Sequence, residues 1–325
     1  MTPIDSNEKA ARAAAAVGRA ETLFRACTAC GHRCGVDRLS GAQGFCRTTS
    51  LASREVRCAS HTLHFGEEPM LVGRGGSGTV FFAHCNLRCV FCQNHQISQG
   101  GLGTDVDTDT LAGIFLELQV KDAENINLVT PTHYAYPILL ALRTAYERGL
   151  ALPLVYNTNG YESLDVLALL DGIVDVYLPD MKYMDAAAAR KYSSAEDYPS
   201  VAQAAIKAMY RQVGPPVLSD GVAQKGLIIR HLVLPNNLAG SYDFLLWLHG
   251  EAMTDVALSL MSQYSPQHRA PEYPELASPV DRQTYRDIVQ YAVDLGFEHI
   301  LAQGLASADE YLPDFRKRDP FSQKL

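Results

Sequence analysis

Residues 84–94, His-Cys-Asn-Leu-Arg-Cys-Val-Phe-Cys-Gln-Asn, constrain this chain more than any other stretch. Cys85, Cys89 and Cys92 stand in a C-x3-C-x2-C spacing directly after the apolar run 79–83. Three thiolates on one tight loop can each ligate one iron of a cubane 4Fe-4S cluster and leave the fourth iron open. The alternative is a structural zinc loop, which needs a fourth ligand such as His84 or His95. The spacing, the aromatic Phe91 inserted before the last cysteine and the preceding strand favour the cluster.

A second set, Cys27, Cys30, Cys34 and Cys46, is spaced C-x2-C-x3-C-x11-C, with Gly31 and Gly44 giving the backbone freedom to fold around sulfur. Four thiolates suit a structural zinc ion or a fully ligated auxiliary 4Fe-4S cluster. The neighbouring redox-type loop tips the balance toward iron-sulfur. His32 is expected to be a loop histidine rather than a substitute ligand. Cys58 is left over and reads as a small buried hydrophobe.

Eight cysteines, read as ligands rather than disulfides, point to a reducing cytoplasm. No run approaches the roughly 18 apolar residues of a membrane span. Glu8, Lys9, Arg12, Arg19 and Glu21 interrupt what a signal peptide would keep apolar. A net charge of -8 argues against nucleic acid as the main partner. The expectation is a cytoplasmic protein with neither a nucleic-acid nor a membrane partner.

Residues 1–23 read as a helical arm, peripheral or frayed, because its alanines have little to bury. Residues 24–74 form the Cys-rich metal-binding segment, and 75–305 the main domain, with 306–325 as a tail. Gly73 to Gly78 imitate a dinucleotide-binding loop in composition only, since they lead into a strand instead of opening a helix. His61 and His64, which precede them with Glu67 and Glu68, read either as lining the mouth of the site or, with no further pattern to support that, as surface residues; surface placement is preferred.

From residue 79 onward, apolar runs alternate with amphipathic stretches. Strands are expected over 79–83, 125–130, 152–157, 174–178, 227–234 and 256–261, with a further short one over 298–301. Helices are expected over 108–121, with Thr108 as N-cap, and over 136–148, 164–170, 201–212, 242–250 and 282–294. Six strand-helix units in succession imply an α/β fold with a parallel sheet. Function then belongs on the loops after the strands. Those loops carry the cysteines, Thr130-Pro131-Thr132-His133, Asn157-Thr158-Asn159-Gly160, Asp180-Met181-Lys182 and, within the fifth strand, Arg230-His231.

The cysteine loop, with its C-x3-C-x-aromatic-C pattern, resembles the signature of radical S-adenosylmethionine (SAM) enzymes. Residues 81–94, 157–160, 180–182 and 229–235 are most similar to the activating enzymes of glycyl radical enzymes, in a pyruvate formate-lyase activating enzyme-like branch with four cysteines upstream. The resemblance spans about Gly75 to Tyr264 and implies a partial (β/α)6 TIM-like barrel with a small N-terminal Cys-rich extension. It implies a 4Fe-4S cluster on Cys85, Cys89 and Cys92, with SAM chelated to the open iron and Phe91 near its adenine. Lys182 would meet the SAM carboxylate, and Thr132, His133, Asn157, Asp180 and Arg230 are the further SAM-positioning candidates. The chain departs from the pattern at two places. Asn157 stands where an aspartate usually accompanies the one matched by Asp180, and Thr130-Pro131-Thr132-His133 replaces a Gly-Gly-Glu-Pro type segment.

The implied activity is reductive SAM cleavage and hydrogen abstraction, with an electron donor such as flavodoxin or ferredoxin. The substrate is a glycine of a partner protein or else a small molecule or peptide. No cysteine follows Cys92, which favours the activase class. The sequence names no general acid or base. A non-enzymatic reading makes the N-terminal cysteines a zinc-containing binding module on a barrel scaffold.

Overall fold

The computed structural model describes residues 5–48, 51–304, 312–317 and 319–321. The expected domain boundary at 305 and most of the expected tail lie outside the described residues.

The strands are β1 (Val56–His64), β2 (Ser77–Phe82), β3 (Thr104–Val106), β4 (Ile126–Val129) and β5 (Leu154–Thr158). They continue with β6 (Val176–Pro179), β7 (Val217–Ser219), β8 (Val222–Leu232), β9 (Ala257–Met261) and β10 (His299–Ala302). All ten form one sheet in the order β10-β9-β8-β6-β5-β4-β2-β1-β3, with β7 hanging from β8. The seven strands from β2 to β10 in that order run parallel. The sheet is open, ending at β10 on one side and β3 on the other. Every residue of β2, β5, β6 and β9 is buried, as a parallel sheet covered on both faces requires.

The helices are α1 (Ser6–Arg25), α2 (Pro69–Val72), α3 (His95–Ser98), α4 (Thr108–Val120) and α5 (Ala135–Glu147). After them come α6 (Leu164–Leu170), α7 (Ala186–Ser193), α8 (Tyr198–Val213), α9 (Ser241–Gly250) and α10 (Arg282–Asp294). None of the described helices is long and apolar enough to cross a membrane.

Four details differ from the sequence expectation, each for a local reason. The α4 N-cap is Asp107, not Thr108: its carboxylate accepts the Thr110 amide at 2.7 Å and leaves Thr108 inside the helix. The N-terminal helix is no frayed arm. Ala10, Ala13, Ala16, Ala20 and Phe24 lie on one buried face, and α1 packs on α5 and α6, where small side chains permit close approach. Buried Lys9 pairs with Asp175 and ties α1 to the start of β6.

The stretch expected as a lead-in contains β1, which pairs antiparallel with both β2 and β3 and extends the sheet. The fifth expected strand is the long β8, which opens with the β7 hairpin. Asp220 and Gly221 turn there with φ of 50° and 82°, as a two-residue hairpin turn demands.

Candidate functional site

Parallel strands deliver all their following loops to one edge, so residues far apart in sequence converge there. A cavity of about 610 Å³ lies at that edge. Cys85, Cys89 and Cys92 line it, as do Phe91, Asn157, Asp180, Lys182 and Arg230. The structure thus brings the expected loop, with its Phe91, and four expected strand-end side chains into one place.

Each cysteine sulfur of the loop has a polar partner. The Leu87 amide and the Asn159 Nδ2 donate to Cys85 Sγ at 3.4 and 3.3 Å. The Ser193 hydroxyl donates to Cys89 Sγ at 3.0 Å, and Cys92 Sγ lies 3.2 Å from Ser98 Oγ. Helix α7 secures the loop backbone as well, since its last carbonyls, Tyr192 and Ser193, accept the Val90 and Arg88 amides at 2.8 and 3.1 Å. Burial pushes the Cys85 thiol up to about 12 and Cys92 to about 11. The Lys182 ammonium opposes that rise at all three cysteines.

The opposite wall is charged. Lys182 Nζ donates to Asp180 Oδ2 at 2.6 Å. Burial works against the Lys182 charge, but Asp180 and then Cys89 outweigh it, so its pKa lies above that of free lysine. Arg230 is clamped by two carboxylates: Nε and Nη2 reach the two oxygens of Glu68 at 2.7 and 2.6 Å, and Nη2 also pairs with Glu67. Its Nη1 donates to Asn157 Oδ1 at 3.4 Å. Asn157 and Asp180, the pair in which an amide replaces a carboxylate, are therefore each turned toward a cationic side chain of the protein itself. Phe91 is buried, edge-on to Tyr264 with ring centroids 5.9 Å apart.

Thr132 and His133 are not brought to this cavity. After β4 the chain takes a left-handed residue at Thr130, φ 55°, and then Pro131, which swings the next turn away. Thr130 lines the large cavity, whereas Thr132 and His133 line a second, smaller one. Thr132 Oγ1 donates to Glu162, and His133 Nε2 contacts the Ala83 carbonyl at 2.9 Å. Burial lifts Glu162 to about 7 and keeps His133 neutral down to about 3.

The smaller cavity belongs to the N-terminal cysteines. Cys27, Cys30, Cys34 and Cys46 all line it, with Arg38, His32 and Phe45. His32 lines the same cavity, with its Nε2 held against the Asn86 carbonyl at 2.9 Å and its ring stacked on Phe45 at 3.8 Å. Cys58 is buried in β1, its thiol 3.6 Å from the Ser60 carbonyl. Among the described residues no three or more His, Cys, Asp or Glu side chains form a group that could hold a metal ion.

Sequence reasoning gave no role to Glu67, Glu68, Ser98 or Ser193, and it placed His64 at the surface although His64 lines the large cavity. The adjacent pair Glu67-Glu68 was visible as a signal. Ser193 carried none, because only the packing of α7 against the loop gives it a sulfur to meet. His61 stays on the outside, 3.9 Å from Glu117.

No family profile matches the chain. The uncharacterized protein MJ0674 of Methanocaldococcus jannaschii is 30% identical over 277 residues, which cover 83% of this chain and 74% of the relative. The chain belongs to the family of that archaeal protein.

Proposed function

We propose that the large cavity is the active site of a radical SAM enzyme, with a 4Fe-4S cluster on Cys85, Cys89 and Cys92. The observation that carries this reading is the joint placement of those three sulfurs, each with a polar partner, beside a buried Lys182–Asp180 pair in one cavity of about 610 Å³. A cubane takes each thiolate on a different iron, so its ligands surround a volume instead of meeting at a point. Hydrogen bonds to the sulfurs, from Ser193 to Cys89 and from Asn159 to Cys85, tune the potential of such a group. In this proposal the open mixed sheet includes a partial (β/α)6 barrel built from β2, β4, β5, β6, β8 and β9, with the cysteine loop at its mouth.

When bound, the cluster and SAM supply a one-electron cleavage of the sulfonium S–C5′ bond, giving a 5′-deoxyadenosyl radical that takes hydrogen from the substrate. The protein's part is to bind, orient and exclude water. Lys182, already paired to a carboxylate, presents its ammonium to the SAM carboxylate. Phe91, held edge-on by Tyr264, offers an apolar wall for the adenine. Arg230 is fixed by Glu67 and Glu68, so the cavity keeps one rigid cationic plane. The donor of the electron is a flavodoxin or ferredoxin in the cytoplasm, and the substrate class is that of a glycyl radical enzyme activase.

Anaerobic reconstitution with iron and sulfide, then reductant and SAM, tests the reading. The native chain is expected to release 5′-deoxyadenosine and Cys89→Ala to release none. Equal release from the two proteins sinks the proposal.

A further inference from the structure

Arg38 is 1% exposed and lines the small cavity beside the four N-terminal cysteines. Its Nη1 donates to Cys46 Sγ at 3.1 Å, while Nε and Nη2 have no hydrogen-bond partner among the described residues. A guanidinium stays protonated in proteins, and a buried charge left uncompensated is strongly unfavourable. Neutral thiols do not supply that compensation, being weak acceptors without charge. Thiols that bind a metal do, because coordination removes their protons. Four thiolates around a zinc ion, or around an oxidised cubane core, leave a doubly negative centre.

The local backbone suits such a centre. The Cys27 amide donates to the Val36 carbonyl and the Gly35 amide to the Cys27 carbonyl, both at 3.0 Å, which folds the first knuckle back on itself. A Cβ on Gly44 would sit 2.7 Å from Cys34 Sγ, so only glycine leaves that sulfur its place near Cys46. A Cβ on Gly31 would strike the Tyr161 ring at 2.3 Å, so glycine also lets the knuckle lie flat against the loop after β5.

We propose that Cys27, Cys30, Cys34 and Cys46, which line one cavity without closing on a single ion position in this structure, draw together on a tetrathiolate metal centre, zinc or iron-sulfur, and that Arg38 is its internal counter-ion. The centre would back directly onto the first cysteine loop, since Asn86 meets His32 on one side and Asn159 on the other. Its existence does not depend on the chemistry proposed for the large cavity.

The test uses the full chain with Cys85, Cys89 and Cys92 all replaced by Ala, purified anaerobically, so that metal at the first loop is not counted. Zinc, iron and acid-labile sulfide are measured per chain. About one zinc without sulfide identifies a zinc centre, and about four irons with sulfide identify a cluster; absence of both overturns the proposal. In the same background Arg38→Met is expected to lose its metal to a chelator at least about tenfold faster, and Arg38→Lys to fall between, as expected for a charge-assisted bond. Unchanged retention in a folded Arg38→Met protein refutes the counter-ion role. Should Arg38→Met not fold, alkylation decides on the parent background: Cys34 is exposed, so it resists iodoacetamide only when ligated, and rapid labelling before chelator treatment overturns the centre.

Discussion

The two cysteine sites are neighbours in space and opposites in construction. At the first, sulfur partners come from everywhere: Ser98 from α3, Asn159 after β5, and Ser193 from α7. At the second, the four cysteines, the glycines and the buried Arg38 all come from one stretch of twenty residues, 27–46. The first opens on a cavity of about 610 Å³ whose cations are already paired with carboxylates. The second is small, and its one buried cation lacks a carboxylate partner among the described residues. The proposed roles follow this contrast: satisfied charges and free volume suit the first site to receive a molecule, and the unmatched Arg38 charge suits the second to the proposed metal centre.

Removing the clamp on the first site should have the largest effect. Arg230→Met strands Glu67 and Glu68 without their cation, and losing one partner of a buried ion pair costs about 3–5 kcal/mol. Urea denaturation at neutral pH measures it, and a change below about 1 kcal/mol would show that the pair is solvated. Metal retained by the N-terminal cysteines should be unaffected in the folded variant, and its parallel loss would erase the proposed independence of the two sites.

The next effect is set by pH. His231, behind the large cavity, has Nδ1 against the Met181 carbonyl and Nε2 against Ser241 Oγ, and burial lowers its pKa from 6.5 to about 4. A group neutral in the fold but protonated when unfolded gives stability that is complete above pH 6.5. That stability drains away as pH falls toward about 4, amounting to ~3 kcal/mol. The acid-side slope of unfolding free energy should flatten in His231→Gln relative to the native chain. Glu162, raised to about 7, pulls the opposite way in part of this window, so only the difference between the two proteins is diagnostic.

A smaller effect falls on binding. Lys182→Met deletes the ammonium that faces the three cysteines, and loss of a charge-assisted hydrogen bond corresponds to ~1.5–3 kcal/mol, about 10- to 100-fold in SAM affinity. Calorimetric titration of the reconstituted protein measures it, and an affinity within twofold of the native chain argues against a carboxylate contact. Least of all, Ser193→Ala should cost about 1 kcal/mol in stability. It should also lower the reduction potential of the reconstituted first-loop cluster, because the lost hydrogen bond to Cys89 Sγ no longer stabilises the more negative reduced state, and shift its electron paramagnetic resonance signal. No spectral change would mean that the Ser193 hydroxyl does not meet the bound sulfur.

Much of this was legible in the residues. The expected strands and helices fall close to the observed ones from β2 to β10 because their apolar periodicity is strong and each is buried as a unit. The hairpin before β8 is signalled only by Asp220-Gly221, because β7 is three exposed residues and the strong apolar run begins later, at Leu227. Strand β1 escaped because its alternation is weak, with Cys58 and His61 in place of branched residues. Helix α1 was read as an arm because alanines carry little hydrophobic signal. Their value lies in the close approach they allow to α5, which no window along one helix reveals.

By itself the sequence determined the two cysteine sets, the succession of the seven parallel strands with α4, α5, α6, α8, α9 and α10 between them, and the strand ends on which polar residues sit, since spacing and periodicity are local properties of the chain. Tertiary structure alone decided that Pro131 turns Thr132 and His133 away from the large cavity, that Glu67 and Glu68 occupy Arg230, and that Ser193 reaches Cys89 across 104 residues. Those contacts depend on how separate elements pack, and packing energy is shared among residues that the chain does not place side by side. The unmatched charge of Arg38 belongs to the same class: its residue type was visible, but only burial made it a demand for a negative partner.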